Sequence, residues 1–519
     1  MKEVKTDVAH ARPMNKMGYI YLAIKELTRV SDQTSIIHLS KSTLVKIGEI
    51  VIFFILIPAV FFYMLCHVEA NEIYLIAKGQ KLALTASAED FLRQFPDGDI
   101  SYQLKFAVDF VRDGSISAWV LNLWPPGMPG LNILIIGLTG TSYYTLKMMS
   151  LSALLYAFAS YLVYRSLGCG RFSPAAMLAC ALPMLYMSFQ KSIFVNLQIF
   201  STDYYCFMLL AVLLSLLFND DAVSFRRLAL MAIVLAALAY FRSFYFIFIK
   251  LLTVWSMLAL AGWCGWGILT RCCKTTLRKV VQSKLVMSLG VLLLITWALM
   301  LPWIIVLKIE DRPFDWTVTD QAWAAQWRND LPSFLVGLNT PCIIEKDVCE
   351  QLMPFQYADT WAPPKLGSDF YKRLSIVTFV SHPLKWYGEK AKWFEHFWFD
   401  DYGIIQNRTV SKLTRYVQSA GYLQSFGLLV VSLFLALSAV VRCANNISHR
   451  RPLLENNGFY FLFLLFFTYN VMVFTFVHFE PRYSIPLKLA TFLFLMFLLR
   501  DTMSKIDLVL LANKAERVV

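Results

Sequence analysis

Apolar runs of about 13 to 23 residues, separated by short polar links, set the pattern of this chain. They predict membrane-spanning helices near Ile47–Cys66, Leu146–Tyr164, Ser173–Gln190, Asp203–Phe218, Leu228–Phe241, Phe246–Trp266, Leu285–Leu307, Tyr422–Val441, Gly458–Val477 and Leu487–Leu499. Leu131–Leu138 is also apolar, but eight residues cannot cross a hydrocarbon core of ~30 Å. Placed after a Pro-rich turn, it reads as a helix lying along the interface.

The links carry the sidedness. Lys41 and Lys46 precede the first run, Arg165 and Arg171 close one hairpin, and Arg226 and Arg227 close another. Arg271, Lys274, Arg278, Lys279 and Lys284 fill a third link, and Arg442, Arg450, Arg451, Arg500 and Lys505 follow the later runs. All of these fall on one side if Leu131–Leu138 does not cross, and cytoplasmic loops are the basic ones. The expected fold is therefore all-α: a polytopic bundle of about ten spans with both ends cytoplasmic.

Five stretches follow from that topology. Residues 1–46 form a basic cytoplasmic tail, polar for too long to be a secretory signal, and 47–307 a transmembrane module whose first outer loop is 67–145. Residues 308–420 form a long outer loop, 421–500 the last spans and 501–519 a second tail. The long loop is rich in tryptophan (Trp316, Trp323, Trp327, Trp361, Trp386, Trp393, Trp398), which anchors a segment at interface depth. Within it His382–Phe399 reads as an amphipathic surface helix, with Lys385, Lys390 and Lys392 toward headgroups.

Composition agrees. The chain of 519 residues is 58% hydrophobic and 16% charged, with a mean hydropathy of +0.55; soluble domains average nearer ~25% charged. A net charge of +13 would suit nucleic acid, but the positive residues sit in the links, so no nucleic-acid partner is expected. Most of the ten cysteines fall in apolar runs, where they act as small hydrophobes. Cys342 and Cys349 lie in a polar outer stretch and suit a disulfide staple. Asn407-Arg408-Thr409 is a formal outer-side sequon. No ligand cluster calls for a cofactor; a divalent metal is left open.

Candidate chemistry gathers on the outer side. Asp97 and Asp99 flank Gly98 in a tight turn beyond the first span. Carboxylates there, half-covered by lipid and protein, suit a general base, though Pro-Asp-Gly-Asp is also simply a good turn. Tyr102, Phe106, Phe110 and Val111 opposite Asp109 and Asp113 predict a short amphipathic helix after it. Lys191, Arg242 and Arg482 fall at outer ends of spans, where cations meet phosphate or simply snorkel.

These elements, taken in order, resemble the GT-C-fold membrane glycosyltransferases, and most of all the group containing the protein O-mannosyltransferases and the lipid A aminoarabinose transferase. The acidic turn is followed by Tyr102, by Ala107 with Gly114 seven residues on, and by Pro125-Pro126-Gly127-Met128-Pro129. Asp203 opens a later span, Ala239-Tyr240-Phe241-Arg242 ends one, and Ser381-His382-Pro383-Leu384 precedes the aromatic stretch. Glu480-Pro481-Arg482-Tyr483-Ser484-Ile485-Pro486 is similar to the family's closing Arg-Tyr-x-x-Pro. The spacing departs at one point: the family places Tyr four residues after its acidic residue, whereas Asp99 and Asp97 stand three and five before Tyr102.

The resemblance implies a sugar donor linked to polyprenyl phosphate, an acceptor hydroxyl on a glycan, lipid or protein, and inverting transfer at the outer face of a plasma membrane, most naturally a bacterial inner membrane. Asp97 or Asp99 is then the base, with Tyr102, Lys191, Arg242, His382, Glu480, Arg482 and Tyr483 as substrate contacts. Another class is a transporter or flippase of lipid-linked saccharides, which should show matched repeats and ionisable residues deep in its spans. A non-catalytic subunit would need neither the acidic turn nor the outer cations.

Overall fold

Among the described residues every regular element is a helix and none is a strand. The computed structural model describes residues 48–59, 85–96, 99–115, 125–167, 202–218, 224–269, 284–309, 368–392, 394–399, 412–448, 458–476 and 484–518. The chain divides into two units, Met1–Ile57 with Phe497–Val519, and Pro58–Met496.

In the first unit α1 (Gly48–Ala59) contains a π-helical turn over Ile52–Leu56, where the Ile57 N–H reaches back to the Ile52 carbonyl. Phe53 is buried, while Ile50, Ile55 and Leu56 are exposed. The same unit holds the far end of the last helix, where the Arg500 guanidinium lies 5.4 Å over the Phe497 ring.

The second unit begins its described part with α2 (Ala88–Gln94), α3 (Asp99–Asp113), α4 (Gly127–Thr139) and α5 (Tyr144–Ser166). Each has a local cause. Ser87 and Asp90 form a capping box at the start of α2. Gly114 ends α3 with φ +67° while its N–H bonds the Phe110 carbonyl at 2.9 Å, a conformation that favours glycine. Lys147 Nζ satisfies the last carbonyls of α4, Thr139 O at 2.8 Å and Gly140 O at 3.0 Å.

Next come α6 (Thr202–Leu217), α7 (Phe225–Phe241), α8 (Ser243–Leu269) and α9 (Lys284–Ile309). Arg227 was expected in a link, but α7 starts early, at its Ser224 cap. Arg227 instead turns back to cap α6, donating to Leu216 O at 2.5 Å and Leu217 O at 2.9 Å. α7 packs on α4, α6, α8 and α9, and α5 packs on α2 and α6. At α5–α6 the Tyr204 hydroxyl donates to Ser152 O at 2.7 Å, the kind of interhelical bond that replaces the missing hydrophobic drive in lipid.

The remainder comprises α10 (Ser368–Ser381), α11 (Pro383–Lys392), α12 (Phe394–Phe399), α13 (Lys412–Ser448), α14 (Gly458–Phe476) and α15 (Ile485–Val518). Tyr144–Ser166, Met287–Val306 and Tyr422–Asn446 are long and apolar enough to cross a membrane. Gly48–Ala59, Gly127–Thr139, Thr202–Leu217, Ser243–Leu258 and Tyr460–Phe476 are apolar but shorter. On α13, Leu423, Phe426, Val430, Leu433 and Leu437 are exposed while Ser425, Leu428, Ser432, Leu435 and Ala439 are buried. A helix with a large apolar outer face and an inner face that mixes Ser and Ala with Leu suits lipid on one side and helices on the other.

Two expectations change. The apolar face of α3 was expected along Tyr102, Phe106, Phe110 and Val111; Phe106 is buried as expected, but Val111 is 40% exposed, and Ser101, Leu104, Ala107 and Val108 are buried as well. Contact with α4 selects that face. The surface helix over 382–399 is two helices, and Lys390 is fully buried rather than turned to headgroups. The tryptophans cause this: Trp386 donates its indole N–H to Thr475 O at 3.0 Å, and Trp398 to Ser425 O at 2.8 Å. They pull α11 and α12 down onto α13 and α14. The Cys342–Cys349 staple, the Asn407 sequon and the Ser173–Gln190 span fall outside the described residues.

Candidate functional site

The start of α4 is where separate sequence signals meet. Pro126 caps the helix with φ −75° and ψ −2°, already helical, and Gly127 opens it. A Cβ on Gly127 would lie 2.5 Å from Tyr240 O and 2.8 Å from Phe241 N. The Pro-Pro-Gly turn is therefore seated directly on the end of α7, and only a residue without a side chain fits. Tyr240 is tied to α9 by its hydroxyl, which donates to Leu299 O at 2.9 Å. That turn of α9 also carries Pro302, which brings no N–H of its own.

Two residues beyond Tyr240 lies Arg242, which leaves α7 in an extended conformation (φ −140°, ψ 119°). Its Nε donates to Asp203 Oδ1 at 2.6 Å, and its Nη2 meets the same oxygen at 2.5 Å, with the side chains 19% and 13% exposed. Asp203 stands in the first turn of α6, an N-terminus that favours an anion, and Arg242 follows the C-terminus of α7, which favours a cation. Each charge suits its helix end before the pair forms. The walls are apolar and aromatic: Phe241 stacks on Tyr205 with centroids 5.3 Å apart, and Cys206 and Tyr245 are buried beside the pair.

α3 packs along α4 and α2 along α3, so the helices of the predicted first outer loop form one cluster with the start of α4. Ala88 N–H donates to Thr141 O at 3.0 Å and Thr145 N–H to Ala86 O at 3.3 Å, tying that cluster to the start of α5. The Asp109 and Asp113 carboxylates are engaged by Arg112, at 3.1 and 2.8 Å, and the Asp113 hydrogen bond is the main cause raising the Arg112 pKa.

Of the candidate residues, Arg242 is in the pair just described. Tyr102 is half-buried on α3. His382 is half-buried between α10 and α11; its N–H bonds Thr378 O and its carbonyl accepts from Trp386 N–H, each at 2.9 Å. Asp99 is described only as the first residue of α3. Asp97, Lys191, Glu480, Arg482 and Tyr483 lie outside the described residues.

The sequence reading placed Asp203 only at the opening of a span and did not pair it with Arg242. The signal was present: α6 and α7 are nearly equal in length, 16 and 17 residues, so a hairpin of the two returns Arg242 to the start of α6. It also missed the burial of Lys488, whose ammonium lies 5.4 Å over the Trp398 ring. Among the described residues no group of three or more His, Cys, Asp or Glu gathers as a metal site. No protein-family model, curated protein or solved structure matches the chain.

Proposed function

We propose that the chain is a membrane glycosyltransferase with about ten spans and cytoplasmic ends, moving a sugar from a polyprenyl-phosphate donor to an acceptor hydroxyl at the outer face. The observation that carries this reading is the seating of the Pro125–Gly127 turn on Tyr240 and Phe241, beside the Asp203–Arg242 pair. Two segments that resemble glycosyltransferase motifs, far apart in sequence, thereby adjoin each other and a guanidinium.

In the proposed reaction an Asp of the 97–99 turn takes the acceptor hydroxyl proton. The acceptor oxygen bonds the sugar's anomeric carbon as the bond to the lipid phosphate breaks, with inversion. The departing electron pair stays on phosphate, where a guanidinium offsets the new charge. The test is replacement of Asp97 and Asp99 by Asn, singly and together, with sugar transfer from a polyprenyl-phosphate sugar measured in membranes. Loss of a general base predicts a fall of about 100-fold or more. Full transfer by the double variant rejects the assignment.

A second reading, passage of lipid-linked saccharides across the membrane, draws on the buried Lys390 and Lys488, since ionisable groups inside a bundle often mark a path. Reconstituted vesicles separate the two: flipping of the lipid without sugar transfer supports transport.

A further inference from the structure

We infer that α10 and its joint with α11 dip into the lipid bilayer, with Ile376, Val377, Val380 and Leu384 among acyl chains beside the end of α14. This goes beyond the transferase reading and does not depend on it. The polarity of the stretch is inverted. Val380 and Leu384 are 71% and 88% exposed, and Ile376 and Val377 are exposed as well, whereas Ser375, Thr378 and Lys390 are buried. A helix bathed in water turns hydroxyl and ammonium groups outward and aliphatic side chains inward. The same reversal marks α13, where Ser425 and Ser432 are inside and Leu433 and Leu437 outside, as suits a helix facing lipid.

The exposed ridge is firmly mounted. Phe379 turns inward, its ring edge-on to those of Trp386, Tyr387 and Phe476 at 6.0, 5.8 and 5.0 Å. The His382 N–H bonds Thr378 O and the Trp386 N–H bonds His382 O, each at 2.9 Å. These bonds carry helical spacing across the joint, so Ile376, Val380 and Leu384, each four residues from the next, share one side.

The adjoining surface identifies the occupant. Trp386 and Phe379 meet Thr475 and Phe476 of α14. One turn back on the same faces of α14, Val471 and Met472 are exposed. Both belong to Tyr460–Phe476, an apolar helix. The aliphatic surface of α14 therefore runs on into the ridge, and a contiguous apolar patch marks a contact surface where scattered residues would not. Arg373, also exposed, stands one turn before Val377, where a guanidinium reaches headgroups while the aliphatic side chains go deeper.

The experiment uses the full chain in lipid nanodiscs, with an environment-sensitive fluorescent amino acid incorporated in turn at Val380 and at Leu384. Leu433, exposed on α13, is the lipid reference, and Ser115, exposed beyond the Gly114 cap, is the water reference. Quenching is read with lipids brominated on the acyl chain and with aqueous iodide. Brominated lipid should quench both ridge positions to about half or more of the extent at Leu433, and iodide should quench them far less than Ser115. Bromines near the headgroup should act more strongly than bromines near the chain end, because an interfacial helix enters only ~5–10 Å.

Iodide quenching equal to that at Ser115 overturns the inference, since the ridge would then face water. Protection from both quenchers also overturns it, and assigns the ridge to protein, either a second copy or another segment of this chain. Each probe replaces an exposed side chain, so the unfolding temperature should stay at that of the unlabelled chain. Where one labelled protein unfolds early, the other position and Ile376 decide. Loss or retention of sugar transfer in the Asp97/Asp99 variants has no bearing on this result.

Discussion

Gly127 and Tyr240 touch backbone to backbone: a Cβ on Gly127 would stand 2.5 Å from the Tyr240 carbonyl oxygen and 2.7 Å from its carbon. Neither atom belongs to a side chain that could rotate away, and Tyr240 is itself held by Leu299. Gly127→Ala must therefore push α4 off the end of α7. Overpacking of this kind costs about 1–3 kcal/mol, to be seen as a lower thermal midpoint in detergent. Gly130, one turn on, has nothing within 4 Å of a built Cβ. Gly130→Ala should be neutral or stabilising by about 0.5–1 kcal/mol, since it lies in a helix interior. Equal effects at the two positions would refute the close contact.

Trp386 is fully buried, with its N–H on Thr475 O and its ring edge-on to Phe379 at 6.0 Å. Trp386→Phe keeps most of the ring packing and removes the donor, at a cost of about 1–3 kcal/mol for a buried carbonyl left short. The strain falls on α11, so protease cleavage within 383–399 should accelerate more than global unfolding does. Cleavage at the wild-type rate would mean that the indole bond does not hold α11 on α14.

Much of the helical layout was legible from hydropathy alone, because a lipid-facing helix must be apolar along its length. The Tyr422–Val441 run lies within α13, and the short run at Leu131–Leu138 is the core of α4. What hydropathy could not convey is which face of a short helix is buried. On α3 both faces carry apolar residues, and only the neighbour α4 decides that Leu104 and Val108 go in while Val111 stays out. Lys390 was assigned to headgroups on charge, yet the indoles of Trp386 and Trp398 draw its segment inward. The partner of Arg242 was hidden for another reason: ion pairing depends on hairpin register, which becomes visible only once α6 and α7 have defined ends.

The proposed sidedness makes α3 the place to look. Ser115 follows the Gly114 cap and is exposed, whereas Ser101 is 3% exposed. Ser115→Cys should react with a membrane-impermeant maleimide added to intact cells, and Ser101→Cys should react only after unfolding. Labelling of Ser115→Cys solely after the membrane is opened would put the first loop on the cytoplasmic side and remove the proposed active face.

The capping box of α2 gives a pH dependence. Asp90 Oδ2 accepts from Ser87 Oγ–H at 2.8 Å and from Ser87 N–H at 3.2 Å, and Ser87 Oγ accepts the Asp90 N–H at 3.1 Å. The Ser87 hydroxyl, then its backbone N–H, and more weakly Arg93, hold the Asp90 carboxyl below its ordinary value. A folded pKa lowered in this way favours the helix at every pH above the unfolded value, about 3.9. That contribution is lost as pH falls through the lowered folded pKa, where the proton displaces the accepted bonds. Asp90 is exposed, so the loss is local fraying of α2 rather than collapse of the bundle. Carboxyl titration by isotope-edited spectroscopy should place Asp90 below free aspartate, and Ser87→Ala should move it back toward that value while α2 amides exchange faster at neutral pH. An Asp90 that titrates like free aspartate in the unsubstituted protein would show that the box is not formed, and with it the anchor that sets the start of α2 against Thr141.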